Sequence, residues 1–91
     1  MHKLTGFAKL TGNILLEQAM VFIKVEPNKE KTVLNTLRAR NDIKNANMIY
    51  GPYDVYFELI AGSLSDIETT ISNVIRKING VRSSMTCFIA D

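Results

Sequence analysis

Few side chains in this 91-residue sequence are of the types that perform covalent or metal chemistry. His2 is the lone histidine, so neither a His-based triad nor a His-rich metal site can be built within one chain. Cys87 is the lone cysteine and cannot form an internal disulfide; strand alternation predicts it as an inward-facing structural thiol. The carboxylate pairs Glu26 with Glu30 and Asp66 with Glu68 read as helix-start charges that favour the helix dipole. No GxxxxGKS/T or GxGxxG phosphate cradle occurs. No catalytic residue, metal or cofactor is therefore expected. The stretch with the most unusual local chemistry is "YGPYD", residues 50–54. Gly51 permits a positive φ, Pro52 stiffens a turn, and Asp54 can accept a backbone N–H, while Tyr50 and Tyr53 flank the bend. Taken alone, these residues fit either a plain hairpin or one that holds a ligand.

The elements around the bend decide where it sits. "AMVFIKV", residues 19–25, alternates Val21, Ile23 and Val25 against Met20, Phe22 and Lys24, which is a strand pattern. A helix is predicted over about 29–40, started by Pro27 and Asn28 and carrying the stripe Val33, Leu34 and Leu37. A short strand over 46–50 and a second from 54 to about 61 make an antiparallel hairpin through the turn. Ser65 and Glu68 have capping-box spacing for a second helix with Ile67, Ile71, Val74, Ile75 and Ile78 at helical period, and Gly80 is placed to end it. A last strand follows over 81–90. The order β-α-β-β-α-β with right-handed crossovers predicts a ferredoxin-like α+β sandwich, a four-stranded antiparallel sheet with both helices on one face.

Residues 1–18 are expected to form an N-terminal arm or linker-like strand, leaving 19–91 as the single domain. The composition is that of a folded protein: 46% apolar, 22% charged, and a net charge of +2 without the dense basic run that phosphate binding favours. Direct nucleic-acid binding is not indicated. Apolar runs are far shorter than the ~20 residues that cross a bilayer, and no signal-peptide pattern opens the chain, which points to a cytoplasmic protein without membrane contact.

Simple alternation along the strands sends Val21, Ile23, Val25, Val55, Phe57, Leu59, Met85, Cys87 and Ile89 to the helix-covered face. The other face then receives Met20, Phe22, Lys24, Tyr50, Tyr56, Glu58, Ser84, Thr86 and Phe88. So aromatic a surface calls for a cover. A second copy packing sheet against sheet is one answer, with Met20, Phe22, Tyr56, Glu58 and Phe88 as the dimer interface. Single-stranded RNA stacking on Phe22 and Tyr56, as in an RRM, is another. Glu58 on that face, and the lack of a basic-glycine-aromatic pattern in "DVYFELIA", favour the dimer. A small dimeric ferredoxin-like monooxygenase is a third reading, supported by no positioned acid, base or metal set.

"AMVFIKVEPNKEKTVLNTL", "NANMIYGPYDVYFELIA" and "IRKINGVRSSMTCFIAD" together resemble the effector-binding (RAM) domain of the Lrp/AsnC family of amino-acid-responsive transcription regulators. The resemblance spans about 19–91. Full-length members carry an N-terminal helix-turn-helix module that 18 leading residues are too few to hold, so the chain resembles the stand-alone members. The resemblance implies a non-enzymatic sensor that binds an amino-acid effector, a homodimer assembling to an octamer, and hetero-assembly with a DNA-binding family member. It implies an effector site at interfaces between dimers, and the matching positions are Gly51 and Asp54 with Tyr50 and Tyr53 beside them, and Ser84 and Thr86 on the last strand.

Overall fold

In the computed structural model, which describes residues 16–89, the elements run β1 (Glu17–Val25), α1 (Glu30–Arg38), β2 (Ile43–Met48), β3 (Val55–Ala61), α2 (Leu64–Asn73) and β4 (Val81–Phe88), with a 3-10 turn at Ile75–Lys77. The sheet order is β2-β3-β1-β4 and every neighbouring pair is antiparallel. This is the expected ferredoxin-like α+β sandwich. The arm expected over 1–18 lies, as far as residue 15, outside the described residues, as does His2; Glu17 and Gln18 already belong to β1.

The core forms where the two periodicities meet. Alternate residues of the central strands, Val21 and Ile23 on β1 with Val55, Phe57 and Leu59 on β3, are fully buried against Val33 and Leu37 of α1, Ile67 of α2 and Ile75 of the turn. Each such side chain contributes about 1.5–3 kcal/mol when wholly removed from water. No helix among the described residues is long and apolar enough to cross a membrane.

Two bulges reset the strand pattern. In β4, Lys24 pairs with Ser83 but Val25 pairs with Val81, so Arg82 is an extra residue. In β2 the register shifts between Lys44 and Asn47, and Asn45 takes φ 54°, a left-handed conformation that asparagine tolerates. The β2 bulge moves that strand to 43–48 rather than the expected 46–50: Ile43 and Ala46 are buried, and the polar residues between them face outward. Arg38 secures the bulge, donating from Nε (3.1 Å) and a terminal nitrogen (2.8 Å) to the Ala46 carbonyl.

The helix ends also differ from expectation. Ser63, in an extended conformation, caps α2 by accepting from the Asp66 N–H at 3.0 Å, so the Ser65–Glu68 capping box is not formed. The cap belongs to the residue just before the first helical turn, and with α2 starting at Leu64 that residue is Ser63. The helix stops at Asn73, and Gly80 instead shapes the passage into β4 with φ +103°. Its carbonyl accepts from Glu26 N–H at 2.8 Å, tying the end of β1 to the start of β4. A β-carbon on Gly80 would stand 3.0 Å from Lys29 Cβ and 3.2 Å from Val33 Cγ2. Gly80→Ala therefore combines an unfavourable φ with crowding of α1, and is expected to lower stability by about 1–3 kcal/mol in urea denaturation.

Candidate functional site

The hairpin is held from below rather than by its own turn. Ile49 N–H donates to the Asp54 carbonyl at 3.0 Å, and Asp54 N–H donates to the Ile23 carbonyl at 2.9 Å. The Asp54 carboxylate then reaches across to β1, where Oδ2 accepts from Val25 N–H at 2.8 Å. Among the described residues Oδ1 accepts no hydrogen bond, so half of the carboxylate stays available. Gly51 has φ +135° with nothing within 4 Å of the place a β-carbon would occupy, so its requirement is torsional. Tyr50 is 105% exposed and Met48 58%, and with Ile49 they line a shallow cavity of about 190 Å³. Tyr50 thus stands beyond the end of β2 and not on the sheet's open face where alternation placed it.

Tyr53 lies over that open face instead. Its ring centroid is 6.0 Å from Phe22, which is 5.2 Å from Tyr56, both pairs tilted at 52°. The Lys24 ammonium sits 5.6 Å from the Tyr53 centroid. The Tyr53 hydroxyl lies 3.7 Å from Met85 Sδ. At the other end of the row Glu58 accepts from the Tyr56 hydroxyl at 2.8 Å and from Asn45 Nδ2 at 3.0 Å. Burial, then the hydrogen bond to Glu58 and its charge, push the Tyr56 phenol up to about 12.

On β4 the two faces are exchanged relative to simple alternation. Ile23 pairs with Ser84 and Val21 with Thr86, so these hydroxyls share the helix-covered face, while Met85 pairs with Phe22 and Cys87 with Met20 on the open one. Phe88, paired with buried Ala19, leaves the proposed dimer interface with them. The cause is the extra residue Arg82: one inserted position inverts every side chain that follows it. Ser84, Thr86 and Phe88 instead line an open groove of about 400 Å³ with Glu68, Ile71, Ser72 and Arg76 of α2 and the following turn. Arg76 Nε donates to Ser84 Oγ at 3.0 Å.

The expected site residues therefore fall into three places: the hairpin (Tyr50, Gly51, Asp54), the open face (Met20, Phe22, Tyr53, Tyr56, Glu58) and the α2–β4 groove (Ser84, Thr86, Phe88). Against known proteins, residues 18–91 match the family model described as the Lrp/AsnC ligand binding domain. The chain belongs to the Lrp/AsnC ligand-binding domain family. A relative from Pyrococcus furiosus, described as an HTH-type transcriptional regulator, is 27% identical over 71 residues, which cover 78% of this chain and 48% of the relative. The chain thus spans about half the length of the curated relative it matches. The solved structure of FFRP-DM1 superposes with TM-score 0.77 at 26% identity, covering 81% of this chain and 99% of that one. A transcriptional regulator of Neisseria meningitidis, solved as a complex with L-Met, shares the fold at TM-score 0.75 and 12% identity, covering 87% of this chain and 52% of that one.

Sequence reading of this Lrp/AsnC domain missed Glu68, Ile71, Ser72 and Arg76 as a group. Their spacing of three, one and four residues keeps them on one side of α2 and its extension, a signal open to helical-period counting. What hid them was the inverted face of β4, which left the groove without a second wall. Among the described residues no cluster of three or more His, Cys, Asp or Glu could hold a metal ion.

Two measurements check this geometry. Asp54→Ala leaves the Val25 N–H without its acceptor and is expected to cost about 1–3 kcal/mol of stability, with Asp54→Asn costing less because its amide oxygen still accepts. The backbone N–H that the sequence reading allowed Asp54 to accept is that of Val25 on the central strand. In an alkaline absorbance titration, Tyr56→Phe should remove the tyrosinate phase near pH 12. Because the folded pKa lies above the ordinary 10.0, the stability Tyr56 contributes is complete below that pH and is lost as pH rises through 12.

Proposed function

We propose that this regulatory effector-binding domain senses a small amino acid at the contact between copies, where the hairpin of one meets the α2–β4 groove of another. The observation that carries the reading is the separation of the expected effector residues on one chain. Tyr50 lines the hairpin cavity and Ser84 and Thr86 line the groove, and the two cavities share no residue. A ligand touched by both sets needs two copies. The fully exposed Tyr50 ring and the neighbouring Met48 supply an apolar projection suited to such a contact. Turn N–H groups beside Gly51 can bind a carboxylate, and the unoccupied Asp54 Oδ1 can accept from an ammonium. L-Met bound to the Neisseria meningitidis regulator of the same fold agrees with this ligand class.

The open face supports a sheet-to-sheet homodimer through Met20, Phe22, Tyr56 and Glu58, with Met85 and Cys87 taking the place first given to Phe88. Dimers joined through hairpins and grooves would build the larger ring, an octamer. Mixed assembly with a DNA-binding relative would pass the effector's influence to DNA, since a ligand that needs two subunits favours their contact by mass action. Titration calorimetry against the twenty amino acids, with light scattering in parallel, tests the proposal. At least one amino acid should bind and raise the mean mass, and Phe22→Lys should reduce the dimer to monomer. Absence of any binding by an intact oligomer would remove the sensor role.

A further inference from the structure

The two charged side chains of the α2–β4 groove are not equally prepared for a ligand. Arg76, in the 3-10 turn that follows α2, donates from Nε to Ser84 Oγ on β4 at 3.0 Å. That bond steadies the guanidinium at the groove wall and leaves its terminal nitrogens without a partner among the described residues. Ser84 accepts the bond, so its own hydroxyl proton is available to a third group. Thr86, paired with Val21 as Ser84 is with Ile23, brings a second hydroxyl on the same face. Glu68 lines the groove too, but no hydrogen bond or ion pair with a described residue orients it, and the ion pair among those residues joins Arg40 to Asp42. Of the two charges, Arg76 is the oriented one.

A steadied guanidinium beside two hydroxyls is a set of donors, and the group that answers it with acceptors alone is a carboxylate. In the arrangement proposed above, the hairpin of the opposing copy takes the groups that every amino acid shares: turn N–H groups beside Gly51 bind the α-carboxylate, and Asp54 Oδ1 accepts from the α-ammonium. The groove is left to receive the side chain. We infer that the effector is a dicarboxylic amino acid, aspartate or glutamate, whose side-chain carboxylate is bound by Arg76 together with the Ser84 and Thr86 hydroxyls. An amide of the same shape replaces one acceptor by a donor and leaves part of this set unmatched, and an aliphatic side chain leaves all of it unmatched. Glu68 is exposed and turns to water when the carboxylate is bound. This ligand class rests on the effector-binding reading above and specifies it.

Two near-isosteric pairs, glutamate with glutamine and aspartate with asparagine, isolate the side-chain charge. Calorimetry on the full chain should show the acidic member of at least one pair binding ~10- to 100-fold more tightly than its amide, the range for one charge-assisted hydrogen bond. Arg76→Gln should bring the acidic member down to the level of the amide while the amide keeps its affinity. Glu68→Gln, which removes a like charge, should leave the acidic preference in place or enlarge it. Both side chains are exposed, so the variants keep the fold, which circular dichroism verifies. An amide or methionine binding as tightly as the acids would overturn the inference while the sensor reading stands. So would equal weakening of acid and amide by Arg76→Gln, which would put Arg76 on the α-carboxylate common to both, or loss of the acidic preference in Glu68→Gln. No binding by any amino acid would overturn both readings.

Discussion

Val25 stands where β1 ends beside a bulge, a place where a backbone N–H loses the regular partner that a ladder provides. The Asp54 carboxylate supplies the acceptor, reaching from the base of the hairpin across to the central strand. Through this bond and the adjoining Asp54–Ile23 backbone bond, the hairpin is fixed to β1 rather than to its own turn. Tyr53 is set one residue before that anchor and is thereby laid over Phe22. Tyr50 is set on the far side of the bend, where no described residue covers it. Support of one side of the hairpin and exposure of the other thus share a cause.

The open face shows how polar groups tolerate an apolar setting. Glu58 ends the aromatic row and accepts from both Tyr56 and Asn45, and Asn45 reaches it from the left-handed bulge of β2. Lys24 occupies the opposite end of the row, over Tyr53. Lys44 pairs with Glu58 across β2 and β3, so the carboxylate end of the row carries a cation as well.

Much of this was legible in the chain. The apolar periods of β1, β3 and both helices produce the fold directly, because burial on one face is the strongest constraint a short segment carries. Gly51 and Asp54 announced the hairpin. The faces of β4 were not legible: Val81, Met85 and Cys87 alternate plausibly inward, and only pairing with β1 exposes the extra residue at Arg82. Register is a property of two strands, and one strand's composition does not contain it. The start of α2 was misread for a similar reason, as Ser63 and Ser65 are equally suited to cap and the choice depends on where β3 releases the chain.

The bulge at Arg82 has a consequence for how such a domain can diverge. It decides at one stroke which residues of β4 meet a second sheet and which line the groove under α2. Because Val81 already pairs with Val25 and Ser83 with Lys24, loss of the one codon for Arg82 would join them as regular neighbours and leave Met85, Cys87, Ser84 and Thr86 on the faces they now hold. Lineages can therefore lose a residue at Arg82 without disturbing either surface, whereas the same change inside the regular ladder from Ser83 to Phe88 has no bulge to absorb it.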